Sequence, residues 1–235
     1  DAHADGTRTG LANLRERLFA LYAFNVEIAR ATQVSEPMLG LIRLQWWRET
    51  LQRAHAGGAP GSGDVASGVA AAIRDADLPS EPFARIIDAR EREIEGEAWG
   101  DMAALQGFLA DTGGALTQLA SHALAGCAVR GADSAGFAFA AAAWLRAAPA
   151  LIAAGARPLP DGATALAVNG LRKLAEARAA EPARAAAPAL RAGWRAEATL
   201  RQASHPDYDP ARGPEMESEF RRRGRLLWLA LRGAW

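Results

Sequence analysis

Apolar residues recur at three- and four-residue spacing along much of this 235-residue chain, and this period constrains its fold more than any other feature. In one segment, Leu11, Leu14, Leu18, Leu21 and Ile28 follow that spacing. Such a repeat places side chains on one face of an α-helix, whereas a β-strand alternates every second residue. Half of the residues are hydrophobic, and alanine, which has the highest helix propensity, is abundant among them. The sequence therefore predicts an all-α protein.

Residues 1–10 are small and polar, and they are predicted to form a flexible lead-in to a single helical domain over 11–235. The expected helices cover about 11–31, 35–51, 64–76, 81–97, 101–126, 133–155 and 214–232, with two or three more between 163 and 204. Asp101 is expected to cap the fifth of these helices. Gly113 and Gly114 lie in its middle, where close helix packing or a bend should compensate for the cost of glycine.

The charge balance and the cysteine content exclude several classes of function. Lys and Arg together number 27, as do Asp and Glu, so the net charge is zero and no nucleic-acid partner is expected. The single cysteine, Cys127, excludes an internal disulfide and fits a cytoplasmic location. No apolar run is expected to reach the roughly 20 residues that cross a bilayer.

The segment from Ser35 to Leu51, SEPMLGLIRLQWWRETL, mixes residue types that a purely structural helix separates. Pro37 fits the first turn of this helix, with Ser35 or Glu36 as its cap. Arg43, Trp47 and Thr50 fall at i, i+4 and i+7, so an arginine shares a face with a large aromatic side chain.

The segment at 81–97 contains carboxylates at helical spacing. Asp88, Glu91 and Glu95 lie at i, i+3 and i+7, and on one helix face they could hold Mg²⁺ together with a phosphorylated substrate. Arginines are interspersed with them, and alternating charge is more typical of a solvated face. Asp88 and Arg92 are also spaced to form an i, i+4 ion pair.

Two further segments combine arginine with apolar residues. Arg146 lies in the apolar run FAFAAAAWLRAAPALI, so it must be paired, reach solvent, or bind an anionic group in a cavity. The terminal segment Arg221–Trp235 combines a basic cluster with leucine and tryptophan. This composition fits a helix that lies on an anionic membrane surface, and equally a packed terminal helix with an exposed basic face.

Four segments resemble, in this order, the squalene/phytoene synthase family: LRERLFALYAFNVEIA, EPMLGLIRLQWWRETL, IIDAREREIE and GFAFAAAAWLRAAPALIAAGARPLPDG. The resemblance covers roughly residues 11–165. It implies the all-helical isoprenoid synthase fold, in which a single domain surrounds a deep central cavity.

The chain departs from the family pattern where active members carry two aspartate-rich motifs. The matching positions contain Ala29, Arg30, Gln33, Ala147, Ala150 and Leu151. Ionisation of an allylic diphosphate requires Mg²⁺ held by clustered carboxylates, so these replacements remove the expected metal ligands. Neither a metal nor another cofactor is expected, unless Asp88, Glu91 and Glu95 supply a different magnesium site.

The resemblance is stronger to a divergent branch of the family, which lacks these motifs and includes a mitochondrial complex I assembly factor. It implies a non-catalytic protein that binds an isoprenoid or lipid, or that acts with a respiratory-chain assembly partner in the cytoplasm or at the inner membrane surface. One alternative is an active farnesyl or geranylgeranyl diphosphate transferase, and another is a scaffold whose cavity has collapsed and which acts only through its surface. The residues expected to line the cavity are Tyr22, Asn25, Glu27, Arg43, Trp46, Trp47, Asp88, Glu91, Trp144 and Arg146.

Overall fold

The protein is described by a computed structural model over residues 2–59, 61–96, 99–160, 162–215, 218–232 and 235, and these ranges contain helices and connections but no strand. The helices are α1 (Ala2–Ala31), α2 (Pro37–His55), α3 (Asp64–Ala76), α4 (Ser80–Ile94), α5 (Met102–Leu109), α6 (Ala115–Ala125), α7 (Ala132–Ala153), α8 (Ala163–Ala179), α9 (Ala187–Leu190), α10 (Ala196–Ala203) and α11 (Glu219–Leu231). The prediction of an all-α fold is confirmed.

The apolar faces of these helices form two main clusters. The first contains the buried residues of α1, α2, α3, α4 and α6, with Phe24 and Phe83 fully buried near its middle. The second lies around α7, where Leu145 packs with residues of α5, α8 and α10. Because α6 packs on both α1 and α7, it joins the two clusters.

The double glycine of the predicted helix at 101–126 interrupts it with a π-helical turn over Ala110–Gly114. A Cβ atom at Gly113 would lie 2.4 Å from the Cβ of Ala140, so this turn packs closely against α7. The helix starts as predicted, since the Asp101 carboxylate accepts a hydrogen bond of 2.7 Å from the Ala104 N–H. Close packing and a local irregularity therefore both compensate for the glycines.

Helix α2 begins as the sequence predicts, with Glu36 as its cap and Pro37 as its first residue. It continues four residues beyond Leu51 and ends at His55, whose side chain joins two elements. His55 Nδ1 lies 2.8 Å from the Leu51 carbonyl oxygen, and Nε2 lies 3.0 Å from that of Leu78. The imidazole thus connects the end of α2 to the segment that precedes α4.

Two expectations differ from the structure. Helix α1 begins at Ala2, where an irregular lead-in over 1–10 was expected. Helix α7 has 22 residues and contains an 18-residue stretch with a mean hydropathy of 1.5. By length and composition it could therefore span a bilayer, whereas no apolar run of that length was expected. Its buried residues, which include Phe137 and Leu145, pack against α6, α8 and α10, as those of a core helix do.

Candidate functional site

A cleft of about 790 Å³ lies between α1, α2 and the start of α3, and we name it the α2 cleft. It brings together four of the residues expected to line a cavity, namely Glu27, Arg43, Trp46 and Trp47. The remaining lining residues are Arg30, Ile42, Ser62, Gly63, Asp64, Val65 and Ala66.

The two tryptophans have different roles in the wall of the α2 cleft. Trp47 is 5% exposed and packs edge to face on Phe24, with ring centroids 5.1 Å apart. Trp46 is 36% exposed, and its ring centroid lies 5.0 Å from that of Trp47. Trp47 therefore anchors the wall in the first apolar cluster, while Trp46 presents an aromatic surface to the cleft.

The charged residues that line the α2 cleft are two arginines and two carboxylates. Arg30 Nη1 lies 3.4 Å from Glu27 Oε1, so the carboxylate on α1 is already paired. Arg43 has no ion-pair partner among the residues that the structure describes. Asp64 is at the start of α3, where a carboxylate is stabilised by the helix dipole. The arginine that faces the cleft without a partner is thus available to a ligand or to another protein.

Tyr22 and Asn25 lie on α1 before Glu27, and both are half-buried outside the lining of the α2 cleft. Burial raises the pKa of the Tyr22 phenol above its ordinary value. Their predicted role as cavity-lining residues remains a prediction.

Asp88 and Glu91 lie on α4, where both bind one guanidinium of α2. Arg48 Nη1 is 2.9 Å from Asp88 Oδ1, and Arg48 Nη2 is 2.8 Å from Glu91 Oε2. Burial lowers the pKa of the Arg48 guanidinium, but the hydrogen bonds to Glu91 and Asp88 outweigh this effect and raise its pKa above the ordinary value. These ion pairs stabilise the packing of α2 on α4.

This arrangement does not fit a magnesium site. The ion needs several free carboxylate oxygens, whereas those of Asp88 and Glu91 face a cation, and Glu95 is exposed at the C-terminal end of α4. Within the described residues, no three His, Cys, Asp or Glu side chains form a group that could hold a metal.

The prediction of an ion pair between Asp88 and Arg92 is wrong, because each of these side chains pairs with a residue of another element. Arg92 Nη2 lies 2.7 Å from Asp111 Oδ2, and Arg85 Nε lies 3.0 Å from Asp111 Oδ1. Asp111 belongs to the π-helical turn, so this pairing attaches the turn to α4.

Trp144 and Arg146 lie on α7, away from the α2 cleft. The Trp144 indole N–H donates a hydrogen bond of 2.7 Å to the Pro158 carbonyl, and its ring contacts Trp99 and Phe108. The Arg146 guanidinium is 3.5 Å from Thr199 Oγ1 and has no carboxylate partner in the described part of the chain. Burial and the nearby Arg195 lower the pKa of Arg146.

The predicted site residues therefore occupy four places: the α2 cleft, the part of α1 outside it, the ion pairs between α2 and α4, and the second half of α7. Sequence patterns did not identify Arg48 as the partner of Asp88 and Glu91, since these residues are about 40 positions apart. Sequence patterns also did not assign residues 62–66 to the site, because a glycine-rich loop before a weak helix has no feature that distinguishes it from an ordinary connection.

Comparisons with known proteins agree with this architecture. The family model for squalene/phytoene synthase matches residues 11–212. Among solved structures, a dehydrosqualene synthase in complex with ligand superposes with a TM-score of 0.68 at 13% identity, covering 94% of this chain and 87% of that one. The squalene synthase HpnC from Alicyclobacillus acidocaldarius gives a TM-score of 0.67 at 20% identity, covering 82% of this chain and 85% of that one.

Two relatives are named NADH dehydrogenase (ubiquinone) complex I, assembly factor 6. The Bos taurus protein is 33% identical and the Homo sapiens protein 32% identical, each over 109 residues. The match covers 46% of this chain and 32% of each relative, so it spans about a third of their length. The predicted isoprenoid synthase fold is confirmed, and the chain belongs to the squalene/phytoene synthase family.

Proposed function

We propose that this chain is a non-catalytic member of its family that acts as a binding protein in the assembly of a respiratory complex. The observation that carries the proposal is the charge of the α2 cleft. By the resemblance, Arg30 replaces an aspartate of the first family motif, and the nearby Glu27 is paired with it. Because Glu27 is paired and Asp64 is the other carboxylate of the lining, the cleft lacks the group of free carboxylates that Mg²⁺ needs, while Arg43 is available to an anionic group.

Two further observations support the proposal. The carboxylates of the alternative magnesium site, Asp88 and Glu91, are bound by Arg48 and join α2 to α4. The relatives named as complex I assembly factors share a third of their residues with this chain over the matched segment. A role with a respiratory-chain partner is therefore a better proposal than an active farnesyl or geranylgeranyl diphosphate transferase.

Incubation of the purified chain with farnesyl or geranylgeranyl diphosphate and Mg²⁺ tests this proposal. We expect no release of pyrophosphate above that of a sample without protein, because the residues that the structure describes contain no group of carboxylates that could hold the metal. A solved squalene synthase serves as the positive control. Pyrophosphate release that disappears in Asp88→Asn would contradict the proposal and establish the transferase alternative.

An isoprenoid or lipid ligand remains a separate prediction. Native mass spectrometry of protein purified from its own host tests it, since a tightly held ligand would add a defined mass. A spectrum that contains the bare polypeptide mass alone counts against this ligand and leaves the assembly role unaffected.

We also propose that α11 contacts a membrane, which would bring the protein from the cytoplasm to the inner membrane surface. This helix presents an apolar surface, because four of its apolar side chains are between 51% and 88% exposed: Phe220, Leu227, Trp228 and Leu231. The Arg232 guanidinium lies 4.4 Å from the ring centroid of Trp228. The sequence adds Arg221, Arg222 and Arg225, whose side chains lie outside the described part of the structure.

Leu227→Gln combined with Leu231→Gln is expected to weaken binding to vesicles of phosphatidylcholine and phosphatidylglycerol by about tenfold or more, because two leucines no longer enter the acyl region. Co-sedimentation measures the effect. Val168→Gln changes an exposed apolar position on α8, so it is the control and should bind as the unmodified chain does. The proposal would be contradicted if the double leucine variant bound the mixed vesicles as tightly as Val168→Gln does. It would also be contradicted if the unmodified chain bound vesicles of phosphatidylcholine alone as tightly as the mixed vesicles.

A further inference from the structure

Helix α2 carries a second apolar stripe that remains exposed in the described structure. Its buried face packs through Leu44, Trp47 and Leu51, as the first apolar cluster requires. Four other apolar residues, at i, i+1, i+4 and i+8, lie together on a different side of the helix: Met38, Leu39, Ile42 and Trp46. All four are exposed.

Helix α1 extends this apolar surface. Phe19 and Val26 lie at i and i+7 on the side of α1 that also carries Arg30, which lines the α2 cleft. We name the six residues the α1/α2 face: Phe19, Val26, Met38, Leu39, Ile42 and Trp46. Their exposed fractions range from 36% to 65%. In the described residues outside α11, the other exposed large apolar side chains are Ile152 and Val168, so this face concentrates most of them.

The composition of the α1/α2 face is that of a protein interface. Aromatic residues, methionine and arginine are enriched where proteins bind each other, and tryptophan and arginine often contribute most of the binding energy. Arg15 lies over the ring of Phe19, with its Cζ atom 5.4 Å from the centroid, and Arg43 lies beside Ile42 and Trp46 at the cleft. Neither guanidinium has an ion-pair partner among the described residues. The face therefore combines apolar anchors with positive charges that are free to pair.

We propose that the α1/α2 face binds an amphipathic helix of a partner protein, with its apolar side on Ile42 and Trp46 and an acidic residue paired with Arg43. A groove between two helices beside a large cleft is the geometry in which such a helix binds. This inference rests on the proposed function, because a non-catalytic assembly protein acts through the partners that it binds.

The charges and the shape of the face disfavour other occupants. The arginine-rich α11 of a second copy would bring positive charge toward Arg15 and Arg43. A flat bilayer does not fill a concave surface. A single lipid would leave much of the face uncovered, because the apolar residues continue outside the cleft at Met38 and Phe19.

Two fluorescent synthetic peptides test the proposal with the full chain. Both are amphipathic helices with leucine at i, i+3, i+4 and i+7, and the remaining positions are rich in glutamate in one and in lysine in the other. We expect the acidic peptide to bind at least about tenfold more tightly in fluorescence anisotropy, because it pairs with Arg43 and Arg15. Arg43→Glu should reduce or reverse that preference, and Ile42→Gln should weaken binding of the acidic peptide.

Val168→Gln is the control for an exposed apolar change elsewhere, and thermal unfolding checks that every variant is folded. Equal affinity for the two peptides, or a preference that Arg43→Glu leaves unchanged, would overturn the proposal. So would a dimer in light scattering that Ile42→Gln dissociates, or vesicle binding that Ile42→Gln abolishes. Pyrophosphate release would instead refute the proposed function without changing the peptide result, so the two failures are distinguishable.

Discussion

Gly136→Ala is expected to lower the free energy of unfolding by about 3 kcal/mol, the upper part of the usual range for overpacked cores. A Cβ atom at this position would lie 2.4 Å from the Gly113 carbonyl oxygen and 2.6 Å from the Cβ of Thr117. The first of these is a backbone atom of the π-helical turn, so a side-chain rotation cannot relieve the clash. Urea unfolding followed by circular dichroism measures the loss.

Gly107→Ala is the matched control, because this glycine lies inside α5 and a Cβ atom there would meet nothing within 4 Å. Alanine has the higher helix propensity, so this variant should be about 0.5–1 kcal/mol more stable than the unmodified chain. If the two variants have the same unfolding midpoint, α7 does not pack against the π-helical turn as described.

The glycines where α7 packs on the π-helical turn show which part of this packing the sequence could predict. Gly113 and Gly114 stand out as a pair within an apolar helix, so the need for close packing was foreseeable. Gly136, which packs against them, could not be predicted as their partner. It lies in an alanine-rich helix, where one more small residue does not indicate a particular contact. Which two small surfaces meet depends on how α7 crosses the turn, and that crossing follows from packing across the whole second cluster.

The helix ends were the most predictable features, since local chemistry determines them. Asp64–Ala76 matches the predicted bounds, Pro37 is the first residue of α2, and Asp101 caps α5 through its side chain. The start of α1 was missed because residues 2–10 lack an apolar period, although the structure is helical there. Propensity and periodicity indicate where a packed helix lies, but they do not limit how far it continues.

The candidate site was less predictable, because its chemistry depends on contacts between distant elements. The mixed character of α2 was visible in the sequence, and Arg43, Trp46 and Trp47 do line one cleft. The carboxylates of α4 looked like metal ligands or a solvated face, and the structure shows a third arrangement in which Arg48 binds Asp88 and Glu91. Charge pairs within a helix can be read from spacing, whereas pairs between helices require the fold.

Phe24→Ala is expected to lower the free energy of unfolding by about 4 kcal/mol, as is usual when a buried aromatic side chain is truncated. Phe24 is fully buried in the first apolar cluster. Its ring packs edge to face on Trp47 and on Phe83, with centroids 5.1 and 5.3 Å away, so the substitution removes two aromatic contacts and leaves a cavity. Urea unfolding measures this loss as well.

The same substitution tests whether the α2 cleft depends on the core beneath it. Phe24 supports Trp47, and Trp47 contacts Trp46 at the cleft wall, so the variant should also bind the acidic peptide more weakly at a temperature where it remains folded. Phe24→Leu fills much of the cavity and should recover part of both effects. Phe220→Ala changes the same residue type at an 88% exposed position, so its stability should stay within about 0.5 kcal/mol of the unmodified chain. A similar loss of stability in Phe24→Ala and Phe220→Ala would contradict the assignment of Phe24 to the core.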